Sequence, residues 1–146
     1  MKPINQNSLS RGVKTLILAV TLSGMMTGIA LADVDVADGN AAHGEKVFKK
    51  CQACHTIEKD GPDRVGPNLY GIMERGVATK EGYNYSKAMK EFGAKTPKWT
   101  EEVLFQYLEK PRALVPGTFM TFAGLKKPQD RDDLLSYLEK ASGHDD

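Results

Sequence analysis

Cys51-Gln52-Ala53-Cys54-His55 contains both cysteines of this 146-residue chain, and the fold turns on how that pentad is read. Two thiols three positions apart, with a histidine directly after the second, have the spacing of covalent haem attachment. Each thiol can form a thioether with one vinyl group of the porphyrin, and the histidine can reach the iron from the same side. Other uses of such a pair fit less well. A redox CxxC belongs beside a βαβ pattern, and no run of β-branched residues here would build a parallel sheet. A zinc site needs four ligands, usually from two pairs, whereas His43 and His144 stand isolated. A disulfide closed across two intervening residues would be tight and strained.

Residues 1–32 read as an export signal. Lys2, Arg11 and Lys14 give a positive start with no acidic residue, Thr15 to Leu31 is mostly apolar, and Ala30-Leu31-Ala32 has the small-x-small form of a cleavage site. Cleavage after Ala32 would leave 33–146, about 114 residues, enough for one core and too few for two. A retained membrane anchor over residues 15–32 is the competing reading, because that stretch nears the roughly 20 residues needed to cross a bilayer. Its threonines, serine and glycines leave it only moderately hydrophobic. The leader takes three basic residues and no acidic one, leaving 17 basic against 19 acidic residues and a net charge near −2. That balance argues against nucleic acid as a partner.

Helical spacing is plain at both ends of the remaining chain. Gly44, Val47, Phe48 and Cys51 share one face of a helix expected from Asn40 to Lys50, leading straight into the pentad. Leu134, Tyr137, Leu138 and Ala141 repeat that spacing in a helix opened by Pro128 and an acidic first turn. Each of these amphipathic helices needs a partner face, and each other is the economical choice, with Gly44 allowing a close crossing. Thr100 reads as the N-cap of a further helix with Leu104, Tyr107 and Leu108 inward, stopped or bent at Pro111. Ser86 to Phe92 is a weaker helical stretch. The glycine- and proline-rich segment from Thr56 to Tyr85 reads as loop, too long to stay ordered without something to wrap around. A bound haem is that thing, and the expected fold class is all-α, small and single-domain.

Iron held by His55 has one position left, open to a sulfur, a second histidine or nothing. Met73, Met89 and Met120 are the methionines outside the leader. A methionine is usually core filler, but Met120 sits in a Pro-Gly loop between two helices, where a side chain can be aimed at a ligand.

Beside the pentad, the chain carries Val65-Gly66-Pro67-Asn68-Leu69-Tyr70-Gly71, Trp99, Tyr107-Leu108-Glu109-Lys110-Pro111, Pro116-Gly117-Thr118-Phe119-Met120 and Phe122-Ala123-Gly124-Leu125-Lys126-Lys127. In order and spacing these segments closely resemble the class I c-type cytochromes, of the mitochondrial type and its soluble bacterial relatives, from about Gly44 to Ala141. The resemblance implies the cytochrome c fold, with N- and C-terminal helices crossing and loops wrapped around one covalent haem c. It implies thioethers at Cys51 and Cys54, axial ligands His55 and Met120, and a Pro67 carbonyl accepting the ring N–H of His55. Arg75, Tyr85 and Trp99 match positions that balance the haem propionates, Tyr107 and Thr118 match neighbours of the methionine ligand, and Phe122 matches the aromatic at the haem edge. Two departures stand out: a longer stretch between Tyr85 and Trp99, and Met89 where many relatives carry a polar residue.

The function so implied is single-electron transfer rather than enzymatic catalysis. A monomeric periplasmic carrier would shuttle electrons between membrane redox complexes or to a terminal reductase or oxidase. Lys49, Lys50, Arg64, Arg112, Lys126 and Lys127 match places around the haem edge where the family carries docking charges, and Phe119 replaces a charge often found beside the methionine. A haem enzyme or gas sensor with an open sixth site is the alternative.

Overall fold

The structure, a computed structural model, describes residues 39–143. The expected signal, the boundary at residue 33 and His144 lie outside the described residues. Within the described residues five helices follow in order: α1 Ala41–Phe48, α2 Lys87–Lys95, α3 Glu101–Glu109, α4 Pro111–Leu114 and α5 Pro128–Ala141. Among the described residues there is no strand, only a single antiparallel bridge between Gly76 and Lys98. No helix among them is long and apolar enough to cross a membrane.

The caps show why the helices start where they do. Asn40, Ser86 and Thr100 each accept, through the side chain, a backbone N–H three residues on, which satisfies one orphan donor of α1, α2 and α3. Pro128 opens α5, where a missing N–H leaves no bond unmade. Asn40 is thus the cap of α1 rather than its first residue, and α2 runs past Phe92 to Lys95. Pro111 does more than stop α3: its fixed φ also starts the separate turn α4.

The terminal helices do pack together, with the Phe48 and Tyr137 rings 5.3 Å apart. Gly44 is required for that approach, because a Cβ there would run into the Asp133 carbonyl and the Tyr137 side chain. At the same crossing the buried Asp133 carboxylate accepts the Asn40 amide at 2.7 Å, His43 Nδ1–H at 2.6 Å and Gln129 Nε2–H at 2.9 Å. His43, isolated in sequence, therefore bridges α1 and α5. Burial pushes the Asp133 carboxyl up, but those three donors together outweigh it and hold the group below the ordinary carboxylate range. A second tie is the buried Arg131, which donates to the Leu125 carbonyl at 2.7 Å and lies 4.0 Å over the Phe105 ring of α3.

The loop over residues 56–85 carries no helix, and buried Asn68 holds it in shape. Its Nδ2 donates to Thr56 Oγ1 at 2.6 Å and to the Glu58 carbonyl at 3.0 Å. Its Oδ1 accepts the Tyr70 amide, and its own amide donates to Asp63.

A methyl at residue 44 should force the terminal helices apart, so Gly44→Ala is expected to destabilise the protein by about 3 kcal/mol in chemical denaturation. Asp133→Asn should cost about 1.5–3 kcal/mol at neutral pH. Because the folded carboxyl titrates below its unfolded value of about 4, its contribution is complete above that value and disappears as pH falls through the folded one. The gap in Tm between wild type and Asp133→Asn should therefore close on acidification, and a gap independent of pH would contradict the assignment.

Candidate haem site

Leaving α1 at Phe48, the chain turns sharply. The Cys51 amide donates to the Phe48 carbonyl at 2.7 Å, and the amides of Cys54 and His55 donate to the Cys51 carbonyl at 3.0 and 2.9 Å. That turn brings Cys51, Cys54 and His55 to one cavity of about 270 Å³. A second cavity of about 100 Å³ shares Cys51, His55, Pro67, Tyr85, Met89, Tyr107 and Met120 with it, so the two form one slot into the core. Burial pushes the Cys51 thiol up to about 11 against the opposing charge of Lys50.

His55 is oriented from both sides. Its Nδ1 lies 2.7 Å from the Pro67 carbonyl, which can only accept, so the proton sits on Nδ1 and Nε2 keeps its lone pair for a metal. Burial draws the imidazole below its ordinary pKa, and the Pro67 bond opposes this less strongly, so the ring is neutral at neutral pH. Gly66 packs so closely that a Cβ would strike the imidazole, while its amide holds the loop to the Cys54 carbonyl at 2.8 Å.

Met120 reaches the same slot from the segment after α4. Tyr107 Oη–H points at Met120 Sδ at 3.3 Å and lies 3.4 Å from Thr118 Oγ1, which in turn accepts the Met120 amide at 3.3 Å. Burial raises the Tyr107 phenol, the Thr118 contact offsets this only in part, and the hydroxyl stays a donor. Trp99 is buried between Phe92 and Tyr107, with ring centres at 6.0 and 5.1 Å, and lines the inner cavity. Half-buried Phe122 and buried Thr118 line the outer one.

Arg75 does not line the slot itself, but its charge acts on Tyr85, which does. Its Nη1 and Nη2 donate to the Tyr70 and Asn68 carbonyls at 3.2 and 2.9 Å, while its buried Nε–H has no protein partner. An orphaned guanidinium N–H inside a protein calls for an acceptor, best a carboxylate. A haem brings two. Paired sulfurs, an oriented imidazole, an apolar slot and an unpaired buried donor are together what that group requires of its site.

The Cytochrome c family model matches residues 41–142. This chain belongs to the cytochrome c family. It is 44% identical over 108 residues to cytochrome c of Gibberella zeae, covering 73% of this chain and 99% of that protein. Cytochrome c of Chlamydomonas reinhardtii is 48% identical over 105 residues, 71% of this chain and 91% of its own. A cytochrome c homolog of Rickettsia typhi is 37% identical over 139 residues, 92% of this chain and 78% of its own. The cofactor is accordingly a covalent c-type haem, and the protein is a haem electron carrier.

The structure also places residues that the pattern of motifs did not single out. Ser86, the cap of α2, lines the slot, and Tyr83 donates its hydroxyl to the Val65 carbonyl at 2.7 Å. Met89, noted in sequence as one of three methionines outside the leader and as a departure, is buried and lines both cavities. The six basic residues Lys49, Lys50, Arg64, Arg112, Lys126 and Lys127 are all exposed. Two of them are already engaged: Lys50 pairs with Asp130 at 3.4 Å, and Arg64 donates to the Gln52 carbonyl at 2.7 Å. Among the described residues no group of three or more His, Cys, Asp or Glu is placed to hold a metal ion.

Gly66→Ala should drive the loop off the imidazole and weaken the Pro67 bond. The expected result is a loss of about 3 kcal/mol in stability of the haem-loaded protein and a lower yield of attached haem, read by absorbance per mole of chain. Wild-type stability and loading in that variant would show that the packing does not orient His55.

Proposed function

We propose that this cytochrome c is an exported, periplasmic, monomeric single-electron shuttle, with His55 and Met120 as the axial ligands of its haem and membrane redox complexes, or a terminal reductase or oxidase, as its partners. The observation that carries the reading is the Tyr107 hydroxyl directed at Met120 Sδ in the slot that His55 also lines. Bound there, the haem supplies an Fe(III)/Fe(II) couple that takes up and returns one electron. Cys51 and Cys54 would tether it through thioethers, and Pro67 fixes which imidazole nitrogen faces the metal.

Two protein ligands favour electron transfer because both oxidation states then keep nearly the same geometry. The Met120 thioether is neutral and favours Fe(II) more than a second imidazole would, and the apolar slot disfavours the extra positive charge of Fe(III). Tyr107 adds to this by drawing electron density from the sulfur. A midpoint potential on the positive side follows, within the roughly 0.8 V that axial ligands can set. An enzyme or gas sensor would need its sixth position open, and a methionine held on its sulfur by a hydroxyl opposes that.

Support for the location lies in the leader, with its basic start, apolar stretch and Ala30-Leu31-Ala32. Mass spectrometry of the exported protein should give a chain beginning at Asp33 and carrying one haem; a start at Met1 would favour the membrane anchor. Met120→Ala should lower the midpoint potential by on the order of 0.1 V or more and let the reduced protein bind carbon monoxide rapidly. Tyr107→Phe should lower it by less. Rapid carbon monoxide binding by the wild type, or a potential unmoved in Met120→Ala, would favour the open-site reading.

A further inference from the structure

The nine-residue helix α2 buries a single side chain, Met89. The two departures noted in sequence, the longer stretch between Tyr85 and Trp99 and the apolar residue at 89, thus fall on one element. That element is held along its length. Ser86, itself buried, caps it by accepting the Met89 amide at 3.1 Å. Gly93 lies so close to the Val77 carbonyl that a Cβ there would come within 2.6 Å of it, and Phe92 packs on Trp99 with ring centres 6.0 Å apart. On its other flank, a Cβ on Gly117, three residues before Met120, would lie 3.3 Å from the Cβ of Ala88.

Met89 lines both parts of the slot, and so do Tyr107 and Met120. A methionine side chain has no hydrogen-bond donor and only a weakly accepting sulfur. Tyr107 Oη–H faces Met120 Sδ at 3.3 Å, which is just such a weak acceptor, with Thr118 Oγ1 at 3.4 Å. An amide or hydroxyl oxygen in the wall at residue 89, or a water bound to one, would accept more strongly than the thioether and draw the phenol away. The Tyr107–Met120 contact therefore depends on what α2 withholds.

Resting on the reading of Met120 as an axial ligand, we infer that Met89 is a positioning residue of this electron carrier. Presented by α2 as an apolar wall, it keeps water and competing acceptors out of the slot, so that Tyr107 stays on Met120 and Met120 stays in place for the iron. The role belongs to its apolar character rather than to its sulfur, and a leucine, close to it in volume, fills it equally well.

The test compares Met89→Gln, which keeps the length and changes the polarity, with Met89→Leu, which keeps the side chain apolar. The full-length, haem-loaded, oxidised protein is mixed with saturating imidazole, where the rate at which the near-red band disappears reads the release of Met120. Met89→Gln is expected to react about tenfold faster than the wild type, and Met89→Leu within about twofold of it. In a Tyr107→Phe background, where no hydroxyl is left to divert, the Gln substitution is expected to change the rate by less than about threefold. Met89→Ser, smaller and still polar, carries the same expectation where crowding by the longer amide keeps Met89→Gln from folding. A polar variant that reacts at the wild-type rate overturns the inference. So does an acceleration that Met89→Leu shares, or one that persists undiminished without the Tyr107 hydroxyl. A wild type with no near-red band overturns the ligand reading and this inference together, whereas a wild type that has the band, matched in rate by Met89→Gln, overturns this inference alone.

Discussion

The bond from His55 Nδ1 to the Pro67 carbonyl, with Gly66 pressed against the imidazole, is the contact on which the remaining structure depends. It chooses the tautomer, aims Nε2 and ties a loop with no helix of its own to the pentad. The same backbone stretch could not do this with any other residue at 66, since a single methyl would occupy the place of the ring. Loop and ligand thus hold each other: Asn68 and Arg75 keep the loop in shape through its own carbonyls, and the loop keeps the imidazole in position.

The helices supply the rigid frame against which that loop is set. α1 ends where the pentad begins, so anything that shifts α1 shifts the cysteines. The crossing of α1 with α5 is fixed by a glycine that permits it and by a buried carboxylate with three donors that specifies it. Partnered in this way a buried charge stabilises a particular packing; stripped of its donors it would destabilise the same interface. α3 carries the inner wall, where Tyr107 serves two purposes, packing against Trp99 and donating to Met120.

What the sequence made legible was local or covalent. The pentad, the cap at Thr100 and the apolar stripes of the terminal helices are each patterns within one short stretch of chain, so spacing alone reveals them. The Asp133 cluster joins residues 90 and 93 positions apart, and no periodicity announces it. Arg131 is buried within an acidic helix start because the Leu125 carbonyl and the Phe105 ring complete its surroundings, which no local pattern announces. The contacts of Lys50 with Asp130 and of Arg64 with the Gln52 carbonyl, 80 and 12 positions apart, are likewise invisible to spacing. Pro111 was read as a stop or a bend, because a proline that ends one helix and one that begins the next look alike in sequence.

The central claim is that an imidazole and a thioether of this chain together hold the iron of a tethered haem. Absorption of the oxidised protein in the near red tests it most directly, because a weak charge-transfer band there arises from methionine sulfur bound to Fe(III). The band should be present in the wild type at neutral pH and absent from Met120→Ala. A wild-type spectrum without it would mean that Met120 is not a ligand, whatever the geometry of Tyr107 and His55.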